Sequence, residues 1–240
     1  MSGSTHVFIV CSPRPRVGKT LVARLIAEFY RVSERPVAGF DLEPFEPAFV
    51  EFLPGLVQRI SLNDTRGQMA LFDRLVMDDD TAKVIDLGHL ALEKFFTVAS
   101  QIGLGHEVRR RGISAMVAYV ADQANATLNT YSVLRARFPE LGFVPVYNDG
   151  IARGIELRRH FPASAGGVAP LGIPQLSPSL RSYVDSRPFS FVDRRRMLPT
   201  DGMREELDGF TKRVFRQLRE MELTLLMSNL KSSLIGGDHA

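Results

Sequence analysis

Six short apolar runs, separated by longer stretches of helical period, constrain this chain more than any other feature. They are His6–Cys11, Pro36–Phe40, Val84–Leu87, Ser114–Ala121, Phe143–Tyr147 and Val168–Leu171. Ser114–Ala121 is apolar at nearly every position, as a strand buried on both faces must be. Between the runs, helices are predicted over Gly18–Val32, Arg66–Met77, Ala91–Ile102, Ala124–Phe138 and Ile151–His160. In the first of these, Leu21, Leu25, Ala27 and Phe29 recur at roughly helical spacing. Alternation on this scale predicts a doubly wound α/β fold, its sheet mostly parallel and covered by helices on both faces. Pro44–Asp80 reads as less regular until its helix begins. After Pro174 the prolines Pro178, Pro188 and Pro199 punctuate a loop-rich stretch, and a long helix is expected over Asp201–Leu234. The expected organisation is one domain over residues 1–200, with a helical extension over 201–240 packed on it.

The 240 residues suffice for one α/β domain with a substantial core. No apolar run approaches the roughly 18–20 residues that span a bilayer. Val7–Val10 is too short for a signal-peptide core. The single cysteine, Cys11, cannot form an internal disulfide and suits a reducing compartment, so a cytoplasmic location is expected. The five histidines show no metal-ligand spacing, and no G-x-S-x-G elbow occurs. The net charge of +3 is carried mainly by arginine, with clusters at Arg109-Arg110-Arg111, Arg158-Arg159 and Arg194-Arg195-Arg196. Two readings of these clusters stand: a solvated surface, or contact with phosphates, including non-specific DNA.

The chemistry concentrates where the first strand turns into the first helix, at Gly18-Lys19-Thr20. A loop there directs backbone N–H groups and a helix N-terminus at an anion. In that setting Lys19 reaches the β- and γ-phosphates of a nucleotide, and the Thr20 hydroxyl ligates Mg²⁺. Gly18 lets the backbone approach closely. Pro13 stands where the general pattern G-x-x-x-x-G-K-[ST] has its first glycine, and Pro15 has no N–H to donate.

Arg14-Pro15-Arg16-Val17-Gly18-Lys19-Thr20 resembles the deviant Walker A loop, K-G-G-x-G-K-T, of the ParA/MinD group of P-loop ATPases. The resemblance implies ATP and Mg²⁺ as cofactors, with the nucleotide held by Arg14 through Leu21. Arg14 falls on the family's signature lysine, which crosses a dimer interface to the partner's nucleotide, and Pro15 and Arg16 replace two glycines. Asp41-Leu42-Glu43-Pro44-Phe45 resembles the family's D-x-D-P-Q segment, implying that Glu43 orients the attacking water and Asp41 joins the metal shell. Val84-Ile85-Asp86-Leu87-Gly88 looks like a Walker B strand, implying Asp86 on Mg²⁺ opposite Thr20 and Gly88 as room for the γ-phosphate. Val144–Asp149 resembles the strand that ends in a base-contacting asparagine, here Asn148. Gly172-Ile173-Pro174-Gln175 resembles the loop beside the base, which places Pro174 there. No N-K-x-D signature occurs, so adenine is preferred over guanine.

The resemblance implies a slow Mg-dependent ATPase acting as a nucleotide-dependent homodimer in partitioning or positioning a large cargo. A protein partner would stimulate hydrolysis. Two alternatives remain: a degenerate loop on a scaffold that acts through protein partners, and the dethiobiotin synthetase branch of the same fold. In the last helix Leu207, Phe210, Val214, Leu218, Met221 and Leu225 form an apolar stripe. That stripe fits packing on the domain, a partner or dimer contact, or a membrane surface. The acids Glu205, Glu206, Glu220 and Glu222 count against the membrane.

Overall fold

The computed structural model describes residues 5–152, 157–162, 167–193 and 198–235, with side chains as far as Met227. In chain order the first elements are β1 (His6–Cys11), α1 (Lys19–Val32), β2 (Val37–Asp41), α2 (Ala48–Phe52), β3 (Val57–Arg59), α3 (Thr65–Leu75) and β4 (Ala82–Asp86). There follow α4 (Leu92–Gln101), α5 (Leu104–Arg110), β5 (Ser114–Ala121), α6 (Asn125–Arg137), β6 (Gly142–Asn148) and β7 (Leu171–Ile173). The last two are α7 (Pro178–Val184) and α8 (Asp201–Ile235). The strands form one seven-stranded sheet in the order β3-β2-β4-β1-β5-β6-β7, and every neighbouring pair is parallel.

Successive side chains of a strand face opposite sides, and β1 shows the consequence. Phe8 and Val10 join the apolar layer of α1, α2, α7 and α8, while Val7, Ile9 and Cys11 join that of α3 to α6. The chain leaves β1 toward β2 and β3, comes back into β4, then crosses to β5 and beyond. Connections therefore diverge on either side of the adjacent strands β1 and β4. A crevice opens at the carboxyl ends of such strands, and it takes ligands in open α/β sheets.

α8 uses its apolar stripe on this core: Leu207, Phe210, Val214, Leu218 and Met221 are buried, in the same layer as Phe29 and Val144. The helix also covers the sheet edge. Gly172, on the edge strand, donates its N–H to Gln217 Oε1 at 2.8 Å, and Gln217 Nε2 donates to the Gly172 carbonyl at 2.9 Å. A side-chain amide thus stands in for a missing neighbour strand. At the start of α7, the Ser177 N–H and hydroxyl both donate to Glu206 of α8, each at 2.7 Å.

The structure corrects several sequence expectations. Pro44–Asp80 holds a short helix and a strand, α2 and β3, and the stretch after Pro174 holds α7. α5 and β3 are too short for periodicity to reveal. The last strand lies at Leu171–Ile173, three residues beyond the start expected at Val168. The helix expected at Ile151–His160 falls largely outside the described residues. Among the described residues no helix is long and apolar enough to cross a membrane.

Because Phe210 is buried between α8 and the sheet layer, Phe210→Ala should lower the unfolding free energy by about 3–5 kcal/mol, the usual range for an aromatic removed from a core. Urea denaturation measures it. A loss below about 1 kcal/mol, typical of a surface substitution, would mean that α8 only rests on the surface.

Candidate functional site

β1 delivers the chain at Cys11 into a loop over residues 12–18 with two left-handed residues, Arg16 at φ 59° and Gly18 at φ 94°. Gly18 is required twice over. Its φ disfavours any side chain, and a Cβ there would lie 2.3 Å from Asn148 Nδ2. Arg16 has no such excuse and carries about 1–2 kcal/mol of strain, so the surroundings must hold the loop in place. Two hydrogen bonds do so. Lys19 Nζ donates to the Arg14 carbonyl at 2.7 Å, closing the loop from within. Asn148 Nδ2 donates to the Val17 carbonyl at 3.1 Å, while Asn148 Oδ1 accepts from Gly150 N–H at 3.1 Å.

α1 begins directly behind this loop without a side-chain cap and without an acidic residue in its first turn. The first N–H groups of a helix need partners, and an uncapped, positively polarised end favours an anion. Lys19 adds a full charge at the same end. It is 8% exposed, and among the described residues its ammonium hydrogen-bonds a neutral carbonyl. Burial lowers its pKa, opposed chiefly by the charge of Asp86.

Thr20 Oγ1 donates to Asp86 Oδ2 at 2.6 Å, so α1 and the end of β4 present a hydroxyl and a carboxylate to one spot. Burial pushes the Asp86 carboxyl up to about 7; the bond from Thr20 works against this and the nearby Asp41 with it. Asp41 is paired in register with Asp86 across β2 and β4, but its carboxylate is already engaged. Oδ1 accepts from Glu43 N–H at 3.0 Å and Oδ2 from Val50 N–H at 3.1 Å. Asp41 therefore shapes the turn that projects Glu43. The Glu43 carboxylate lies 3.9 Å from His89 Nδ1. Gly88, expected to leave room for phosphate, leaves room for Glu43: a Cβ at Gly88 would come 2.6 Å from Glu43 Oε2.

Loop, strand ends and helix enclose a cavity of about 740 Å³, bordered by Pro15, Arg16, Gly18, Lys19, Thr20, Leu21, Glu43 and Asp86. This is the size range of small-molecule sites. Five expected residues stand elsewhere, among them Asp41, whose carboxylate is engaged by the Glu43 and Val50 N–H groups. Val17 is buried in the core. Arg14 turns away, its Nε 3.4 Å from Asp122 Oδ2, while Asp122 Oδ1 holds the start of α6 through Ala124 N–H at 2.9 Å and the Thr127 hydroxyl. Asn148 and Pro174, at the ends of β6 and β7, do not border the cavity. Cys11 is fully buried behind the loop, and burial pushes its thiol up to about 12, so it is no nucleophile.

Sequence reasoning missed His89, Arg24, Phe45, Phe52, Arg181, Asp185 and Arg187, which also line the cavity. Arg24 left a signal, being a charge within the otherwise apolar pattern of α1. The others come from segments read as irregular. Of the arginine clusters, Arg110 and Arg111 are both bound to Glu107. Arg158 lies over the Tyr147 ring, and the Arg194–Arg196 cluster is outside the described residues. Among the described residues no group of His, Cys, Asp and Glu could hold a metal ion by itself.

The raised Asp86 pKa has a sign that can be tested. The folded chain keeps a proton there that the unfolded chain releases from about pH 4 upward. Stability of the ligand-free protein therefore falls as pH rises toward about 7 and then levels. Asp86→Asn removes the titration, so its melting temperature at pH 8 should exceed that of the parent by several degrees, with a flatter decline between pH 5 and 8. An unchanged decline in scanning fluorimetry would place Asp86 in a wetter, less costly environment.

No family profile and no curated protein matches the chain. Among solved structures, the MinD cell division protein of Aquifex aeolicus superposes with a TM-score of 0.52 at 12% identity, over 92% of this chain and 97% of that chain. A nucleotide-binding protein of Archaeoglobus fulgidus in complex with ADP matches with a TM-score of 0.47 at 13% identity, over 76% of this chain and 86% of that chain. The parallel sheet, its strand order and the MinD likeness together give this chain the fold of a P-loop NTPase, extended by a C-terminal helix.

Proposed function

We propose that this chain binds ATP with Mg²⁺ in the cavity around Lys19 and hydrolyses it slowly. The observation that carries the reading is the loop itself. It keeps a left-handed residue at Arg16 despite the strain, and it aims an uncapped helix end and a buried lysine into one cavity. An anion with several oxygens satisfies all three.

The residues fit a metal as well. Thr20 Oγ1 and Asp86 Oδ2 already converge, and a hard cation between them would relieve the desolvated Asp86. Bound there, Mg²⁺ would neutralise phosphate charge. In this reading Lys19 and the loop N–H groups hold the phosphates, Thr20 and Asp86 are the metal ligands, and Glu43 accepts a hydrogen bond from the attacking water. Asp41 acts through Glu43, by fixing its turn.

A nucleotide-dependent homodimer remains part of the proposal. Its support is the apolar rim of the cavity, where Phe45 is 75% exposed and Leu90 is more than half exposed. Arg14 would first have to leave Asp122 to serve a partner copy. A stimulating protein partner and a role in positioning a large cargo belong to the same reading, and the arginine clusters lend no separate support to DNA binding. The second reading, a scaffold without hydrolysis, rests on Pro15, whose missing N–H removes one donor from the loop.

Calorimetric titration of Mg-ATP separates the two. Micromolar binding is expected, weakened about tenfold to a hundredfold by Lys19→Ala, which removes one charge-assisted hydrogen bond and its charge. Glu43→Gln should bind equally well and lose most phosphate release. Absence of binding by the well-folded parent would refute the ATPase and leave the scaffold.

A further inference from the structure

The cavity does not end at the phosphate loop. It runs on along the first two turns of α1, past Leu21 to Arg24, and meets α2 and α7. This far end has a rigid floor. Arg24 donates to the carbonyls of Val184 at 3.0 Å and Phe189 at 3.2 Å, and its guanidinium lies 3.6 Å from the centre of the Phe52 ring. An ion pair of Arg187 with Glu51 joins α2 to the segment after α7. At the mouth stands the largely bare ring of Phe45.

At the end of α7, Arg181 Nε donates to Oδ2 of Asp185, the residue that follows the helix, at 2.6 Å, and both side chains line the cavity. The pair offers further guanidinium N–H donors beside a second carboxylate oxygen. Every nucleobase presents an acceptor next to a donor on the edge that pairs in duplexes, so the complement is a base, with the purines of ATP and GTP as probes. The asparagine expected to read the base is committed elsewhere. Asn148 is 2% exposed, its amide serves Val17 and Gly150, and it does not border the cavity.

We propose that the nucleoside end of the ligand lies between α1 and α7, read by the Arg181–Asp185 pair and stacked on Phe45, while Asn148 only braces the phosphate loop. The proposal rests on the phosphate-loop reading given above. With the α- and β-phosphates on the loop amides, the next cavity-lining residue along α1 is Leu21, and the ribose sits over it. From there Arg24 is three residues, just under one helical turn, further on, about 4.5 Å along the axis at 1.5 Å per residue. A base carried on that ribose reaches α7 and the Phe45 ring without crossing the sheet.

The test compares ATP, GTP and inorganic tripolyphosphate, each with Mg²⁺, by calorimetric titration into the parent and three variants, with thermal unfolding as a check on folding. The parent should bind one of the purine nucleotides at least about tenfold more tightly than tripolyphosphate, the effect of one or two good hydrogen bonds. That ratio should fall toward one in Arg181→Ala and in Asp185→Ala, both of which alter half-exposed side chains. Asn148→Ala should weaken nucleotide and tripolyphosphate together and keep the ratio. The reverse pattern, a ratio lost in Asn148→Ala and kept in the α7 variants, would overturn the proposal. So would a parent that binds tripolyphosphate as tightly as nucleotides, although the phosphate loop would then stand. A parent that binds none of the three would remove both readings.

Discussion

Everything at the crevice depends on a loop that closes on its own lysine. The bond from Lys19 Nζ to the Arg14 carbonyl spans the turn, and the bond from Asn148 to Val17 pins its far side. Between these two anchors Arg16 accepts a left-handed backbone and Gly18 passes within a Cβ radius of Asn148. The strain at Arg16 adds to the cost of burying the Lys19 ammonium, which the charge of Asp86 only partly offsets. Sites that bind charged ligands keep such imbalances because the ligand removes them. Asp86 is the acidic counterpart, a carboxylate buried deeply enough that its proton is released only near neutral pH.

The loop sits on α1, and α1 is tied to the rest of the chain by two buried charges. Arg24 holds the carbonyls of Val184 and Phe189, and Glu28 accepts the Phe191 N–H at 2.7 Å. Burial lowers the Arg24 pKa to about 9 and raises that of Glu28, so neither would be tolerated without these partners. They draw the segment after α7 across the outer face of α1 to meet α2, within the same layer on one face of the sheet. α8 then covers that layer and the edge strand β7. The C-terminal part of the chain thus completes the wall of the crevice whose floor is formed by the N-terminal part.

Much of this was legible in the sequence, and the misses have physical reasons. Ser114–Ala121 was found residue for residue because a strand buried on both faces has no other reading. Gly18-Lys19-Thr20 announced itself through position, at a strand-to-helix turn. The α8 stripe fixed a buried face but not its neighbours, and only the fold shows that this face packs on the layer of α1. α2 and β3 are too short to display a period. The placements of Arg14, Asn148 and Gly88 could not be read from motifs, because each serves a neighbour far away in sequence, while Asp41 is engaged by the backbone of the loop and helix that follow it. Arg181 and Asp185 lie in the stretch read as loop-rich, and only the fold brings them into the same cavity as Arg24 and Phe52.

Backbone amide NMR of the labelled chain, before and after addition of Mg-ATP, tests the central claim most directly. The largest shifts should fall on the amides of Arg16 to Leu21, where phosphate oxygens replace the Lys19–Arg14 closure as the loop's main contact, and on Asp86. Saturating Mg-ATP that leaves those amides unmoved, or that shifts a different surface, would contradict a phosphate site at the head of α1.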